Sequence, residues 1–419
     1  MENTKMDMNK MVMKLSDRAN VLTETRSNKY YELRSSLKRA IDSEDTEGYL
    51  AFGNADAGRD PYIPEDHIRQ AAKYAIDHAG TDLVYTPAPG LLEVREAIAS
   101  KCERENGYEV NPKTEIHITV GTQMGIFCTL QSLINPGDKV LIPDPDYSGY
   151  NRLIRFAGGV PVHFPFKEDD DGQTRFNFEA MEKVASTDIK LMMFTNPNNP
   201  GGYLMTRDDL EGIAEIAKKE DFIVFADDLY EKLVYDDYEH ISFASLPDVK
   251  DRTVTIMGVS KTESMQMFRI GFIIAPEWIM KAVSRLASSI LIRSSYISQK
   301  ALLAFLKEEE KHRSKRVNLH TKGRDYVYNE LNKIDGIICN KPMGTSYVFP
   351  NHRELNPSSA DFAFELLSKG NVSLNPGHMY GPVTAEGHQR MCIASPIKRL
   401  EEGIRRIKLA CEQMLQNYL

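Results

Sequence analysis

The chain has 419 residues, of which 42% are hydrophobic and 27% are charged, an ordinary composition for a globular protein. Its formal net charge of −8 argues against a nucleic-acid backbone as the main partner. No segment has the roughly 18 uninterrupted apolar residues of a membrane span, and the Met-rich start MENTKMDMNKMVMKL carries charges where a signal peptide is apolar. We therefore expect a cytoplasmic protein of two domains, one of them larger.

The cysteines are scattered along the chain without any Cys-x-x-Cys pair. Their odd number and wide spacing fit a reducing compartment better than a disulfide framework or a zinc site. We expect buried, small hydrophobic side chains at these positions and no metal site. The positions are Cys102, Cys128, Cys339, Cys392 and Cys411.

The chain is predicted to begin with an arm that is followed by two helices. Residues 1–45 are polar with scattered apolar positions, which indicates an N-terminal arm with helical stretches. Residues 64–80 and 91–105 have apolar residues at helical spacing.

From about residue 115, short apolar runs alternate with helical segments such as 122–134 and 207–220. The apolar runs lie at 116–120, 139–143, 191–195, 222–227 and 253–258. Buried, nearly continuous apolar strands between helices are typical of a mainly parallel sheet that helices cover on both faces. The sequence therefore predicts an α/β fold, with a large domain at residues 64–287.

The pattern changes from about residue 288. A long helical tract is followed by short strands near 346–350, 371–375 and 391–394, and the last segment is again helical. This region, residues 288–419, together with residues 46–63 predicts a smaller α+β domain.

Lys261 is the first candidate for chemistry. It follows an apolar, β-rich run, and Arg269 comes eight residues later, directly before Ile-Gly-Phe. A lysine amine condenses with an aldehyde cofactor, and an arginine at this spacing binds the phosphate of the same cofactor.

Asp227 and Tyr230 follow another predicted strand. Asp227 lies where the strand ends, and ligands of parallel α/β sheets bind at those ends. A carboxylate there can hold the protonated nitrogen of a pyridine ring, and the tyrosine can hydrogen-bond a phenolate oxygen of that ring. The alternative is an aspartate that caps the next helix, with a surface tyrosine.

Two further turns follow strands. Asn199 lies in TNPNNPGG, where two prolines and two glycines define a tight turn, and its amide can donate to a ring oxygen; the alternative is an Asn-rich loop. Gly121, Thr122 and Gln123 lie where a strand leads into a helix, and free backbone N–H groups there cradle a phosphate. Most turns of this second kind bind nothing.

Four residues give weaker signals. Tyr147, after Pro-Asp-Pro, can lie over the face of a planar ring, and Tyr85 offers a hydroxyl to a phosphate. Arg390 opens a short strand and can clamp a carboxylate with two hydrogen bonds. Gly53 allows backbone to approach a ligand closely. Either tyrosine can instead be an ordinary core or surface residue.

In this order and at these separations, the segments resemble the fold-type I pyridoxal-phosphate enzymes of the class I/II aminotransferase family, over about residues 45–415. The resemblance implies an aspartate-aminotransferase-like fold and pyridoxal 5'-phosphate as the cofactor. It implies an amino acid and a 2-oxo acid as substrates, and an active site between the domains. It also implies a homodimer in which the partner subunit supplies Tyr85 to the phosphate.

The chain departs from the family pattern at three places. The family usually has a serine three residues before the lysine, where this chain has Gly258. The family commonly has Gly-Trp before the arginine, and here the pair is Met267-Phe268. The usual Gly-Glu-Pro-Asp opening is Gly-Asn-Ala-Asp at residues 53–56.

These departures leave other reactions open on the same scaffold, because cofactor motifs do not separate transamination from elimination, decarboxylation, cyclisation or reaction with oxygen. The alternative from a different functional class is a DNA-binding regulatory protein that retains this domain as a sensor. Only 52 residues precede Gly53, and they contain no basic recognition helix, which argues against it.

Overall fold

The computed structural model describes residues 16, 18, 30–35, 48–53, 61–78, 85–168, 173–355 and 357–416. Most of the predicted N-terminal arm and the segment 54–60 therefore lie outside the described residues. Within residues 1–45, the described helical stretch is residues 30–35.

The helices have the following bounds: α1 Asp66–Asp77, α2 Leu92–Lys101, α3 Thr122–Leu133, α4 Gly149–Phe156, α5 Phe178–Val184, α6 Arg207–Glu220, α7 Glu277–Ile290, α8 Tyr296–Leu331, α9 Ser359–Gly370 and α10 Ile397–Gln416. The strands have these bounds: β1 Leu50–Ala51, β2 Ile116–Thr119, β3 Lys139–Asp144, β4 Val160–Pro165, β5 Lys167–Glu168, β6 Thr174–Arg175, β7 Ile189–Thr195, β8 Ile223–Asp227, β9 Thr253–Gly258, β10 Gly271–Ile274, β11 Tyr347–Val348, β12 Val372–Ser373, β13 Asn375–Pro376 and β14 Gln389–Cys392.

The central sheet has seven strands in the order β2-β10-β9-β8-β7-β3-β4. Every pairing from β9 to β4 is parallel, whereas β10 is antiparallel to both of its neighbours. The five predicted strands agree with β2, β3, β7, β8 and β9 to within two residues. The predicted α/β class with a mainly parallel sheet is confirmed.

Helices cover both faces of this sheet because successive strand residues point to opposite sides. On β8, Ile223 and Phe225 pack into a core with helices α3, α4 and α7. The intervening Val224 and Ala226 pack into a second core with α5 and α6. Both faces are therefore apolar, which explains why the strands lack a polar alternation in the sequence.

The later part of the chain has its own small sheets and core. Strands β11, β14 and β13 form a three-stranded sheet, and β1 pairs in parallel with β12. Helices α9 and α10 pack with these strands around a third core that includes Phe52 and Leu366. The α+β character of this region agrees with the sequence, and the domain boundaries at 63/64 and 287/288 stay a prediction.

Helix α8 connects the two regions. Its residues Ala301–Leu306 contribute to a core with α1, α2 and β2, and Val327 and Leu331 contribute to the third core. Between these parts the backbone leaves helical geometry at Glu308 (φ −126°, ψ 17°).

All five cysteines are buried and free, as the sequence predicts. Across the residues that the structure describes, no helix combines the length and the apolar character that crossing a membrane requires.

Candidate active site

A cavity of about 930 Å³ opens where the parallel strands of the central sheet end. One wall comes from the segments that follow β2, β7, β8 and β9, and the other comes from the small sheets of the later region. Most of the predicted site residues line it: Thr122, Gln123, Tyr147, Asn199, Asp227, Tyr230, Lys261, Arg269 and Arg390.

Three predicted residues lie outside this lining. Gly53 contacts it through its backbone, because its carbonyl oxygen accepts a hydrogen bond from Arg390 Nη2 at 2.6 Å. Gly121 borders the cavity beside Arg269. Tyr85 is 84% exposed and is not brought to the cavity of its own chain.

The turn at Gly121, the N-terminus of α3 and the guanidinium of Arg269 form a positively charged part of the site, here called the cradle. Gly121 precedes the helix with φ 76°, a backbone conformation that glycine adopts without strain. A Cβ at Gly121 would lie 2.5 Å from Arg269 Nη2, so the guanidinium lies directly against this turn. Free backbone N–H groups of a helix N-terminus and an arginine together form a site for a phosphate.

Asp227 provides the negative group of the site. Its Oδ1 accepts a hydrogen bond from the Leu229 backbone N–H at 3.2 Å, and its Oδ2 accepts one from the Tyr150 hydroxyl at 3.2 Å. Burial raises the pKa of Asp227 to about 7. Among the described residues, no lysine, arginine or histidine forms an ion pair with it. A buried carboxylate in this environment is ready to pair with a cationic ligand.

Tyr147 stands beside this carboxylate. Its hydroxyl donates to Gln123 Oε1 at 3.3 Å, and its ring meets the ring of Tyr150 edge-on at 5.3 Å. Burial raises the pKa of Tyr147, so the phenol is neutral. These contacts fix an aromatic ring on the wall of the cavity.

Arg390 connects the two walls. Its Nη1 donates to Asn199 Oδ1 at 2.8 Å and its Nη2 donates to the Gly53 carbonyl. The guanidinium carbon lies 4.0 Å from the ring centre of Tyr347 and 4.9 Å from that of Tyr380. The arginine is therefore held by stacking and neutral acceptors, which leaves its charge available to an anionic ligand.

Tyr230 and Tyr347 form a buried pair of hydroxyls. Tyr230 donates to the Tyr347 oxygen at 3.2 Å. Burial alone would raise the pKa of Tyr347, but the nearby positive charges of Lys261 and Arg390 lower it. The two hydroxyls therefore lie together in the cavity wall, close to the positive charges of Lys261 and Arg390.

The structure gives a steric reason for Gly258. A Cβ at this position would lie 2.7 Å from Thr122 Cγ2 and 3.3 Å from Leu229 Cδ1. The methyl group of Thr122 therefore occupies the space that a larger residue at 258 would need. Met267 is 72% exposed and Phe268 packs partly against the core of α1, α2 and β2, so neither replaces a residue of the cavity wall.

Several residues of this cavity have no signal in the sequence. Tyr150 lies in a helix whose sequence has no motif that marks a functional residue. The cavity residues of the later region lie in short strands and turns that also lack a recognisable motif. Residues 30–35 belong to the predicted N-terminal arm, for which the sequence indicates no role in a site. The residues without a signal include Tyr31, Arg34, Arg152, Tyr347, Asn375 and Tyr380, with Tyr150 behind the wall.

The residues present fit pyridoxal 5'-phosphate. The cradle of Gly121 and Arg269 suits its phosphate, and the buried, cation-free Asp227 suits its protonated ring nitrogen. Lys261 lines the same cavity and offers an amine to its aldehyde.

Comparison with known proteins agrees with this geometry. The family model "Aminotransferase class I and II" matches residues 50–407. The aromatic-amino-acid aminotransferase 2 of Thermococcus litoralis is 32% identical over 403 residues, covering 94% of this chain and 98% of that protein. The aspartate aminotransferase of Pyrococcus abyssi is also 32% identical, over 402 residues, with coverages of 94% and 98%. The crystal structure of an aromatic aminotransferase from Pyrococcus horikoshii superimposes with a TM-score of 0.82 at 32% identity, covering 90% of this chain and 99% of that one.

The fold and the match of the family model over most of the length define a fold-type I enzyme, and the chain belongs to the class I and II aminotransferase family. It is an aminotransferase that uses pyridoxal 5'-phosphate and moves an amino group from an amino acid to a 2-oxo acid. The aspartate-aminotransferase-like fold implied by the sequence is thereby confirmed.

Proposed function

We propose that Lys261 carries the chemistry of this aminotransferase and that Arg390 selects its substrates. The observation that carries the proposal is that Lys261, the cation-free Asp227 and Arg390 line one cavity. When bound, pyridoxal phosphate supplies an aldehyde that condenses with amines and a ring that delocalises negative charge from the substrate Cα.

Lys261 has two tasks in this proposal. With the cofactor bound, Lys261 Nζ would hold its aldehyde in the resting enzyme and would be freed when the substrate amine takes its place. The free amine would then be the base that accepts the proton from the substrate Cα and the acid that returns it. A single base on one side of the site is sufficient for both proton movements.

The other predicted site residues would bind the cofactor through charge, hydrogen bonds and stacking. Asp227 keeps the ring nitrogen protonated, and Gly121, Thr122, Gln123 and Arg269 hold the phosphate. Asn199 and Tyr230 stabilise the ring oxygen, and the ring of Tyr147 holds the plane of the cofactor by stacking. Because Asn199 Oδ1 faces Arg390, its NH₂ group is the end that is free to donate.

Arg390 binds the α-carboxylate of the substrate. Its present acceptors are the neutral oxygens of Asn199 and Gly53, which a carboxylate replaces with charge-assisted, bidentate hydrogen bonds. The same cavity is also lined by Tyr31, Glu32, Arg34 and Arg152, and these residues are proposed to meet the substrate side chain. Acidic and aromatic amino acids suit these groups, and relatives bear names of both kinds.

A homodimer with shared active sites completes the proposal. Tyr85 is 84% exposed in the single chain, and Tyr74 and Ile292 are exposed as well. In the proposed dimer, Tyr85 reaches the phosphate of the partner subunit, and the exposed apolar residues lie in the interface.

The test is a single half-reaction. The purified holoenzyme is mixed with a panel of acidic, aromatic and small L-amino acids, and the visible band of the cofactor is followed while products are measured. We expect loss of the band with one 2-oxo acid formed per active site and no free ammonia. Release of ammonia, carbon dioxide or peroxide, without amino transfer to an added 2-oxo acid, would assign the enzyme to another reaction of this cofactor.

A further inference from the structure

A second cluster of chemically active side chains lies between α1 and α8, among residues that do not line the active-site cavity. His67 is on α1, and Glu308 and His312 are one helical turn apart on α8. One donor atom from each residue lies within 4.8 Å of the other two. Glu65, directly before α1, approaches the same place, because its Oε2 is 3.8 Å from His312 Nδ1.

Neither imidazole makes a hydrogen bond through Nε2 to any residue that the structure describes, although His312 Nε2 lies 3.6 Å from Glu308 Oε2. The Nε2 atoms of His67 and His312 are both buried. Their rings stack at 5.0 Å with an angle of 16° between the planes.

A buried polar nitrogen without a hydrogen bond has a free-energy cost unless something binds it. Two imidazoles with a carboxylate form a donor set that zinc and related divalent ions prefer. Ligands of a tetrahedral zinc ion lie roughly 3.3 Å apart, so ion binding would bring the three donor atoms closer together and would rotate the two rings out of their stacked arrangement.

We propose that His67, Glu308 and His312 form a binding site for a divalent transition-metal ion such as Zn²⁺, with water completing the coordination. The carboxylate of Glu308 currently contacts a lysine, because Lys311 Nζ is 3.2 Å from Glu308 Oε2. This lysine is largely exposed, so the ion pair is weak and a divalent ion displaces it at little cost.

The position of the site gives it a structural role. Glu308 is the residue at which α8 leaves helical geometry, in a stretch FLKEEEKH that has neither proline nor glycine. The kink separates the part of α8 in the core of α1 and α2 from the part in the core of the later region. An ion held there would link α1 to the kink residue and to the part of α8 that follows it, and would stabilise the junction.

The test measures Zn²⁺ uptake by the holoenzyme in equilibrium dialysis, with metal analysis per chain. The key variant is the double substitution His67→Ala/His312→Ala. The matched control is His78→Ala, which removes an exposed histidine of the same helical segment that hydrogen-bonds only its own backbone turn at Tyr74 O. We expect one zinc per chain in the wild type and in the control, and a loss of affinity of at least about 100-fold in the double variant.

A thermal scan provides the second measurement. Zn²⁺ is expected to raise the unfolding midpoint of the wild type and of His78→Ala, and to leave that of the double variant unchanged. If the double variant does not fold, Glu308→Gln is used, with the same expected loss of binding. Absence of stoichiometric zinc in the wild type, or equal binding by wild type and variants, would overturn the proposal.

Discussion

At the scale of single residues, Gly258 is the departure that the structure explains best. The family usually has a serine there, which would add a hydroxyl near the phosphate. In this chain the Cγ2 methyl of Thr122 fills the space of the missing Cβ at a distance of 2.7 Å. Gly258 and Thr122 are therefore complementary in volume. A serine at position 258 would need the space that the methyl group of Thr122, the first residue of α3, now occupies.

Gly258→Ser is expected to destabilise the protein by about 1–3 kcal/mol, because the new side chain overlaps a packed methyl group. Thr122→Ser removes that methyl and keeps the hydroxyl, so the double variant should recover most of the lost stability. Denaturant unfolding of the two single variants and the double variant measures the coupling. Additive effects, without recovery in the double variant, would show that the two positions do not compete for space.

At the scale of elements, the turn from β2 into α3 determines the phosphate site. The helix contributes unpaired N–H groups, and Arg269 contributes charge from the segment after β9. The two approach each other closely because residue 121 has no side chain. In the proposed assignment, binding of the phosphate would depend on the contact between Gly121 and Arg269, about 150 residues apart in the sequence.

Gly121→Ala is expected to displace the Arg269 guanidinium and to raise the Kd of pyridoxal phosphate by about 10- to 100-fold, the equivalent of one or two charge-assisted hydrogen bonds. Binding of phosphate-free pyridoxal should change little. Gly137→Ala is the matched control, since Gly137 also has a positive φ (92°) but no atom within 4 Å of its added Cβ. If both variants weaken both ligands equally, backbone strain and not the cradle is responsible.

The sequence predicted the elements of the large sheet well because each strand is apolar and each is followed by an amphipathic helix or a turn. The edge strand β4 and the short strand β10 are not among the predicted strands. The antiparallel direction of β10 has no signal in the sequence, since a buried antiparallel strand has the same local composition as a parallel one. The motif residues could be found because strand ends and turns mark them. Tyr150 and Tyr347 could not, because contacts such as Tyr150 with Asp227 arise only from tertiary packing.

At the scale of the whole molecule, the active site is incomplete in a single chain if Tyr85 serves the phosphate. Its 84% exposure and its absence from the cavity lining are what a shared site would produce. Lys261 and Tyr85 of one chain would then belong to different active sites of the dimer.

Co-expression of Lys261→Ala and Tyr85→Ala chains with different tags tests this arrangement. Each homodimer should be impaired, whereas the mixed dimer contains one site with both native residues. We expect mixing to restore activity in up to about one quarter of all sites, when chains pair at random. The activity of the mixture should equal the average of the two parents if each chain supplies its own Tyr85.

The central claim is that Lys261 holds the cofactor through its aldehyde carbon. Borohydride reduction of the native holoenzyme fixes that bond, and peptide mass spectrometry then identifies the modified lysine among all lysines of the chain. The account predicts one cofactor per chain, attached to Lys261 and lost when excess amino donor is added before reduction. Attachment to another lysine, or reduction without any covalent label, would contradict it.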